Sequence, residues 1–236
     1  MIQVFENCLQ LRGRLVSHYA LLEEDRIILI DGGFFSTRPE QTIANLESIG
    51  RKPEEISHIL ITHGHIDHTL NLSRWKQLTD ARLLAPGPDR EHIAGTYPYR
   101  GLNSLCGLME GTCRALFGYQ PPEIDEWFSP GDQIPVWGGL EVIPLPGHTL
   151  GHCGFYSASK QLLFPGDLFS NYHHDPKPPP PWFNVDRSQM LESILRASQL
   201  DIENGLLPSH CHDGTPLEHR DDLYRMIARL NLTDSP

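Results

Sequence analysis

No stretch of this chain stays apolar for the roughly 20 residues that a membrane-spanning helix needs; the longest clear run near the N-terminus is Ile27 to Ile30. Basic side chains are scarce. Nineteen Lys and Arg against 30 Asp and Glu leave a net charge of −11, and a phosphate backbone binds through the Lys and Arg clusters that are missing here, so no nucleic acid is expected as a partner. A negative chain can still hold divalent cations, whose charge offsets ligand carboxylates. The five cysteines (Cys8, Cys106, Cys113, Cys153 and Cys211) are odd in number and form no Cys-x-x-Cys pair. That excludes a disulfide framework and a zinc ribbon. Met1-Ile2-Gln3-Val4-Phe5-Glu6 lacks the basic start and long apolar stretch of a secretory signal, so the expected compartment is the cytoplasm, with no membrane partner.

With 236 residues, 39% of them hydrophobic, the chain can bury one large core or two modest ones. A mean hydropathy of −0.34 is that of an ordinary soluble protein. Ile2 to Phe5, Ser17 to Leu22 and Arg26 to Ile30 read as strands, with Glu23-Glu24-Asp25 as a hairpin turn. Asp31-Gly32-Gly33 lets the third strand leave its sheet sharply. Pro39 opens a helix that Gly50 closes, and Ile59-Leu60-Ile61-Thr62 reads as a buried strand. Leu70, Leu72, Trp75 and Leu78 place a helix from near Thr69, before a strand at Arg82 to Ala85.

Residues 95–130 lose strand alternation and read as a helical insertion, with Leu102, Leu105, Met109 and Leu116-Phe117 on one face. Plain packing is its simplest role; a lid or a dimer face are the functional ones. Strands return at Ile134 to Trp137, Leu140 to Ile143, Gly154 to Tyr156 and Gln161 to Phe164. The proline run Pro176 to Pro181 reads as a stiff surface loop outside any sheet. Helices are expected from Ser188 to Leu200 and from Pro216 to Leu230. Alternating strands and helices predict a layered α/β class in one domain over residues 1–236.

The chemistry concentrates in Thr62-His63-Gly64-His65-Ile66-Asp67-His68, where four metal-capable side chains fall within six residues directly after a strand. Imidazole and carboxylate suit zinc, iron or manganese; the plainer reading is a histidine-rich polar turn. Three further polar residues fall where strands end: His148 in a glycine-flanked turn, Asp167 after Phe164-Pro165-Gly166, and His210 after Pro208-Ser209. Loops at one edge of a sheet are where sites are assembled, so these are candidates to join the first cluster. His152, Cys211, His212, Asp213, His173-His174-Asp175, Trp182 and Phe183 each have a structural reading at least as simple as a functional one.

Together these motifs resemble the metallo-β-lactamase superfamily of binuclear hydrolases, over nearly the whole chain from Asp31-Gly32-Gly33 to His210. The resemblance implies a four-layer αββα sandwich. It gives His63, His65 and His148 to one metal and Asp67, His68 and His210 to a second, with Asp167 bridging the pair. Two divalent metals roughly 3.5–4 Å apart share a hydroxide nucleophile and polarise a carbonyl; zinc is the leading choice, with iron or manganese also suited. Asp67 would orient the hydroxide and relay its proton, Asp31 would hold a ligand from behind by a hydrogen bond, and Tyr172 is a candidate oxyanion donor.

The segment Gly147-His148-Thr149-Leu150-Gly151-His152 is similar to the glyoxalase II branch. That branch's Cys-Gly-Lys/Arg element is here Leu168-Phe169-Ser170-Asn171-Tyr172, and 26 residues follow His210, so a glutathione thioester is not the expected substrate. Instead of the two glycines common after the cluster, this chain has His68-Thr69-Leu70-Asn71. The expected function is metal-dependent hydrolysis of a small ester, thioester or lactone; the alternative is an iron-dependent oxidoreductase of the same fold, similar to a persulfide dioxygenase. A dimer is compatible with either.

Overall fold

The computed structural model describes residues 1–232. The chain divides into two compact units, one of residues 1–98 with 107–128, the other of residues 99–106 with 129 onward. Each is taken by itself.

The first unit is built on a seven-stranded sheet in sequence order: β1 (Ile2–Phe5), β2 (Cys8–Arg12), β3 (Ser17–Leu22), β4 (Ile27–Ile30), β5 (Ile56–Leu60), β6 (Arg82–Pro86) and β7 (Glu126–Phe128). Strands β1 to β4 pair antiparallel and β4 to β7 parallel. Parallel neighbours need a crossover. Here α1 (Pro39–Glu47) joins β4 to β5, α2 (Ile66–Thr69) and α3 (Leu72–Leu78) join β5 to β6, and α4 (Arg90–Ala94) and α5 (Ser104–Phe117) lie between β6 and β7. Ile27, Leu29, Ile59, Ile61, Leu83 and Trp75 are among the residues of its buried core.

The second unit holds a five-stranded sheet ordered β14-β11-β10-β9-β8 and a three-stranded one ordered β13-β12-β15. These strands are β8 (Gln133–Ile134), β9 (Leu140–Pro144), β10 (Cys153–Ser157), β11 (Leu162–Phe164), β12 (Ser170–Tyr172), β13 (Asp175–Lys177), β14 (Gly205–Leu206) and β15 (His210–Cys211). Helices α6 (Arg187–Ser198) and α7 (Pro216–Leu230) complete it, packing Met190, Ile194, Leu223 and Met226 into a core with Leu163, Phe169 and Leu206. Asp186 caps α6, and Thr215 with Glu218 forms a capping box on α7.

Several expectations needed correction. The helix after the histidine cluster begins at Ile66, so Asp67 and His68 stand on it. Strands β2 and β7 escaped notice, the latter because only three residues of it close a segment that reads as helical. The strand at Ile134 stops there, since Trp137, Gly138 and Gly139 all adopt positive φ and turn the chain. Pro176 does lie in a sheet: β13 is an edge strand paired only with β12, where a missing N–H costs no ladder bond. Helix α5 does occupy the 95–130 segment.

Among the described residues no helix is long and apolar enough to cross a membrane.

Candidate metal centre

In the first unit, consecutive parallel strands deliver polar residues from their carboxyl ends, the usual place for a site in such sheets. Asp31 follows β4, the histidine cluster follows β5 and Asp89 follows β6. The buried rings of His63 and His65 meet edge to face at 4.9 Å, and those of His63 and His68 lie 4.1 Å apart. Asp67 Oδ2 stands 3.8 Å from His68 Nε2.

Asp31 organises this half. Its buried carboxylate accepts the Thr62 amide at 2.8 Å, the Thr62 hydroxyl at 3.0 Å and His68 Nδ1 at 2.8 Å. Thr62 Oγ1 also lies 3.0 Å from His63 Nδ1. With its proton given to Asp31, that oxygen accepts from the His63 ring. One carboxylate thereby sets two imidazoles, directly for His68 and through Thr62 for His63. Asp31 holds φ at 66°, a left-handed conformation that Asp tolerates better than most residues.

Two further carboxylates, which sequence reasoning missed, hold the backbone of the same loop. Asp89 Oδ2 accepts the Gly64 amide at 2.8 Å, and Glu110 accepts the Ile66 amide at 3.0 and 3.3 Å. Both are buried. Glu110 pairs with Arg114 at 2.8 Å, which also donates to the carbonyl of His92. Burial pushes the Glu110 carboxyl up, and Arg114 opposes that shift. A signal for Glu110 was present: it is the only acidic residue in α5, four positions before an arginine. Gly64 is required by space, since a Cβ there would sit 2.5 Å from His92 Cβ and 3.1 Å from the Ile93 nitrogen.

In the second unit the turn between β9 and β10 carries His148, the exit of β11 carries Asp167, and β15 carries His210 beside β12. Asp167 Oδ2 lies 2.9 Å from His210 Nε2 and 3.5 Å from His148 Nε2. Both rings are oriented from behind. His148 Nδ1 meets Asn184 Oδ1 at 3.2 Å, and the Asn184 amide donates to the carbonyls of Pro179 and Pro180. His210 Nδ1 meets the Tyr172 hydroxyl at 3.1 Å. The proline run thus anchors a histidine-orienting residue.

His152, whose role the sequence left open, is a structural group. Its Nε2 accepts the Asp167 amide at 2.9 Å and its Nδ1 donates to the Leu145 carbonyl at 2.7 Å, which fixes the backbone beneath Asp167. Gly147 turns the chain just before His148 with φ at 121°, against the backbone of Met190. Cys211 is buried, its thiol directed to the Pro208 carbonyl. His173 and His174 form the tip between β12 and β13, and His174 is tied to Asp222 of α7 at 3.0 Å. The His212 ring lies 4.8 Å from that of Tyr172, and Trp182 stacks on Phe183 at 3.9 Å.

The donor set fits a transition-metal centre on its own chemistry. His63, His68, His148 and His210 each engage Nδ1 with an oxygen. The acceptor oxygens of Asp31 and Asn184 fix for His68 and His148 the tautomer in which Nε2 carries the lone pair, as metal-ligating histidines require, and the hydroxyls of Thr62 and Tyr172 can accept from His63 and His210 in the same way. Imidazole with carboxylate is the ligand mixture of zinc, iron and manganese sites.

Comparison with known proteins agrees. The family model for the metallo-beta-lactamase superfamily matches residues 12–210. A probable metallo-hydrolase of Bacillus subtilis (strain 168), YybB, is 28% identical over 210 residues, covering 89% of this chain and 86% of that protein. A hydroxyacylglutathione hydrolase of Shewanella baltica is 31% identical over 157 residues, 66% of this chain but 48% of that protein. A homologue of the same name from Pseudomonas putida is 36% identical over 115 residues, 48% of this chain and 33% of that protein. The chain spans from a third to about half the length of those two enzymes. A metallo-beta-lactamase family protein from Thermus thermophilus superposes with a TM-score of 0.71 at 20% identity, covering 97% of this chain and 81% of that one. The α/β fold expected from the motifs is therefore the metallo-β-lactamase fold, and the chain belongs to the metallo-β-lactamase superfamily.

Proposed function

We propose that the protein is a binuclear metal-dependent hydrolase of a small ester, thioester or lactone. His63, His65 and His148 would hold one ion and Asp67, His68, Asp167 and His210 a second, with Asp167 shared between them on the family pattern. The observation that carries this reading is that four histidines all engage an oxygen partner through Nδ1, which turns Nε2 of each ring to the opposite side, as a ligand bond needs. Zinc leads among the candidate ions, and when bound such a pair supplies a nucleophile near neutral pH and Lewis-acid polarisation of a carbonyl.

The chain's own groups do the rest. Asp67, at the start of α2 and partly exposed, would accept the proton of the attacking water and pass it to the leaving group. With His210 Nδ1 as the donor, the Tyr172 hydroxyl 3.1 Å away would accept from it and keep its own O–H for an oxygen that gains charge during attack. Burial pushes this phenol's pKa up, against the influence of His210, which keeps it protonated as that role requires. Relatives named hydroxyacylglutathione hydrolase favour acyl transfer to water.

The test couples metal analysis of chelator-free protein to a panel of lactone, thioester, phosphodiester and β-lactam substrates. About two transition-metal ions per chain are expected, with turnover of the acyl substrates, and Asp67→Ala should lose one ion and most of the activity. A single ion unaffected by Asp67→Ala sinks the binuclear reading.

A further inference from the structure

The loop that carries the ligands has an unusual support. Its side chains at 63, 65, 67 and 68 are proposed ligands, while the amides at 62, 64 and 66 are held by carboxylates: Asp31, Asp89 and Glu110 in turn. All three acids are buried. Ile66 is the first residue of α2, and His65, its N-cap, makes no side-chain capping bond. The first amides of any helix lack intrahelical acceptors, and a negative group there is favoured by the backbone dipoles. Glu110, 44 positions along the chain, supplies that group. Arg114 then neutralises Glu110 and reaches the carbonyl of His92, beside Asp89.

We propose that Glu110, held by Arg114 and acting with Asp89, is a positioning residue for metal uptake. By fixing the backbone between His65 and Asp67, it presents Asp67 and His68 in ligating geometry before any ion arrives. The helix in the 95–130 segment therefore serves the centre from its inner face. This rests on the binuclear reading for which ion is affected, but the clamp acts on the metal-free loop. Loss of an orienting contact behind a ligand costs roughly 10- to 100-fold in metal affinity.

The experiment compares wild type, Glu110→Ala and Glu110→Gln as full chains. Zinc affinity is measured by chelator competition, and amide hydrogen exchange is followed across residues 62–70 in metal-free protein. Glu110→Ala should speed exchange in that segment and weaken the more weakly held zinc roughly 10- to 100-fold. Glu110→Gln, which keeps an oxygen for the Ile66 amide, should recover most of both. Because Glu110→Ala leaves the half-buried Arg114 without its acid, the double variant Glu110→Ala with Arg114→Met provides a second route if the single one does not fold. Wild-type exchange and zinc affinity in a folded Ala variant overturn the proposal, as does a loss that Gln fails to recover. A wild-type chain that takes up fewer than two zinc ions overturns the binuclear reading instead, and the exchange measurement then decides the clamp alone.

Discussion

Replacing Asp31 by Asn tests whether the protein sets the tautomer of its ligands. Asn has the same shape and tolerates the left-handed φ of 66° at this position, so the backbone adds no cost. Its oxygen can still accept the Thr62 amide, but its NH2 would face His68 Nδ1, which now donates to a carboxylate oxygen at 2.8 Å. Donor would oppose donor unless the imidazole moves its proton to Nε2, the atom a metal needs. After that move every hydrogen bond survives in neutral form, each weaker by about 1 kcal/mol than its charged original. Relief of a buried carboxylate's desolvation, several kcal/mol, offsets most of that loss.

Metal-free stability should therefore change by no more than about 1–2 kcal/mol, or roughly 2–8 °C in Tm for a chain of this size. Binding an ion must drive the proton back and leave two donors facing each other in a dry site, a cost of about 1–3 kcal/mol. Metal affinity should fall roughly 10- to 100-fold, while thermal unfolding of the stripped protein shifts by no more than those few degrees. Chelator competition, calorimetric melts and the 15N spectrum of the imidazoles read the three quantities. Wild-type metal affinity in D31N, with the His68 proton still on Nδ1, would refute the reasoning.

A pH effect should come from His219. Burial, and after it the neighbouring His174, lowers its pKa to about 4, and its Nδ1 accepts from Asn171 at 2.8 Å, which only the neutral ring can do. Between about pH 6.5 and 4 the unfolded chain binds a proton that the folded chain refuses, so stability falls as pH falls through that window. From pH 7.5 to 5 the loss is about 2 kcal/mol; urea titrations should show His219→Gln losing less over this interval, and equal slopes would dismiss the assignment. Gly64→Ala should cost about 1–3 kcal/mol and weaken metal binding, because its Cβ meets the His92 Cβ and the Ile93 nitrogen, which cannot rotate away. Gly111→Ala in α5, where nothing lies within 4 Å, should stabilise by up to about 1 kcal/mol; a Gly64→Ala melt that matches it would remove the steric account.

The proposed ligands were legible because histidine and aspartate in a tight motif carry their chemistry in the residue names. His148 and Asp167 were legible for a second reason: each follows a strand whose apolar pattern is plain, whereas His210 stands on β15, a strand of two residues. What stayed hidden acts through the backbone or at long range. Asp89 looks like one more acid in Pro88-Asp89-Arg90, and no local pattern links it to an amide 25 positions earlier. Asn184 sits after a proline run that reads as surface, yet its oxygen orients His148. Tyr172 was picked out for its phenol, while its bond to His210 required knowing that β12 and β15 lie side by side. Pro176 was misplaced because the rule against proline in a sheet holds for inner strands, and the sequence does not say which strand is an edge.

The alternation along residues 62–67 also bears on how this family's sequences can drift. Asp89 and Glu110 grip peptide nitrogens, which every residue but proline owns, so neither acid constrains the side chain whose amide it holds. Ile66 can serve the small apolar cluster with Val16 and Phe34 while its nitrogen serves the metal loop. Evolution can then exchange the packing at that position without touching a ligand, or retune the grip from a helix 44 residues away without altering the motif. Two relatives with an identical His-x-His-x-Asp-His signature could thus differ widely in how firmly they hold their ions.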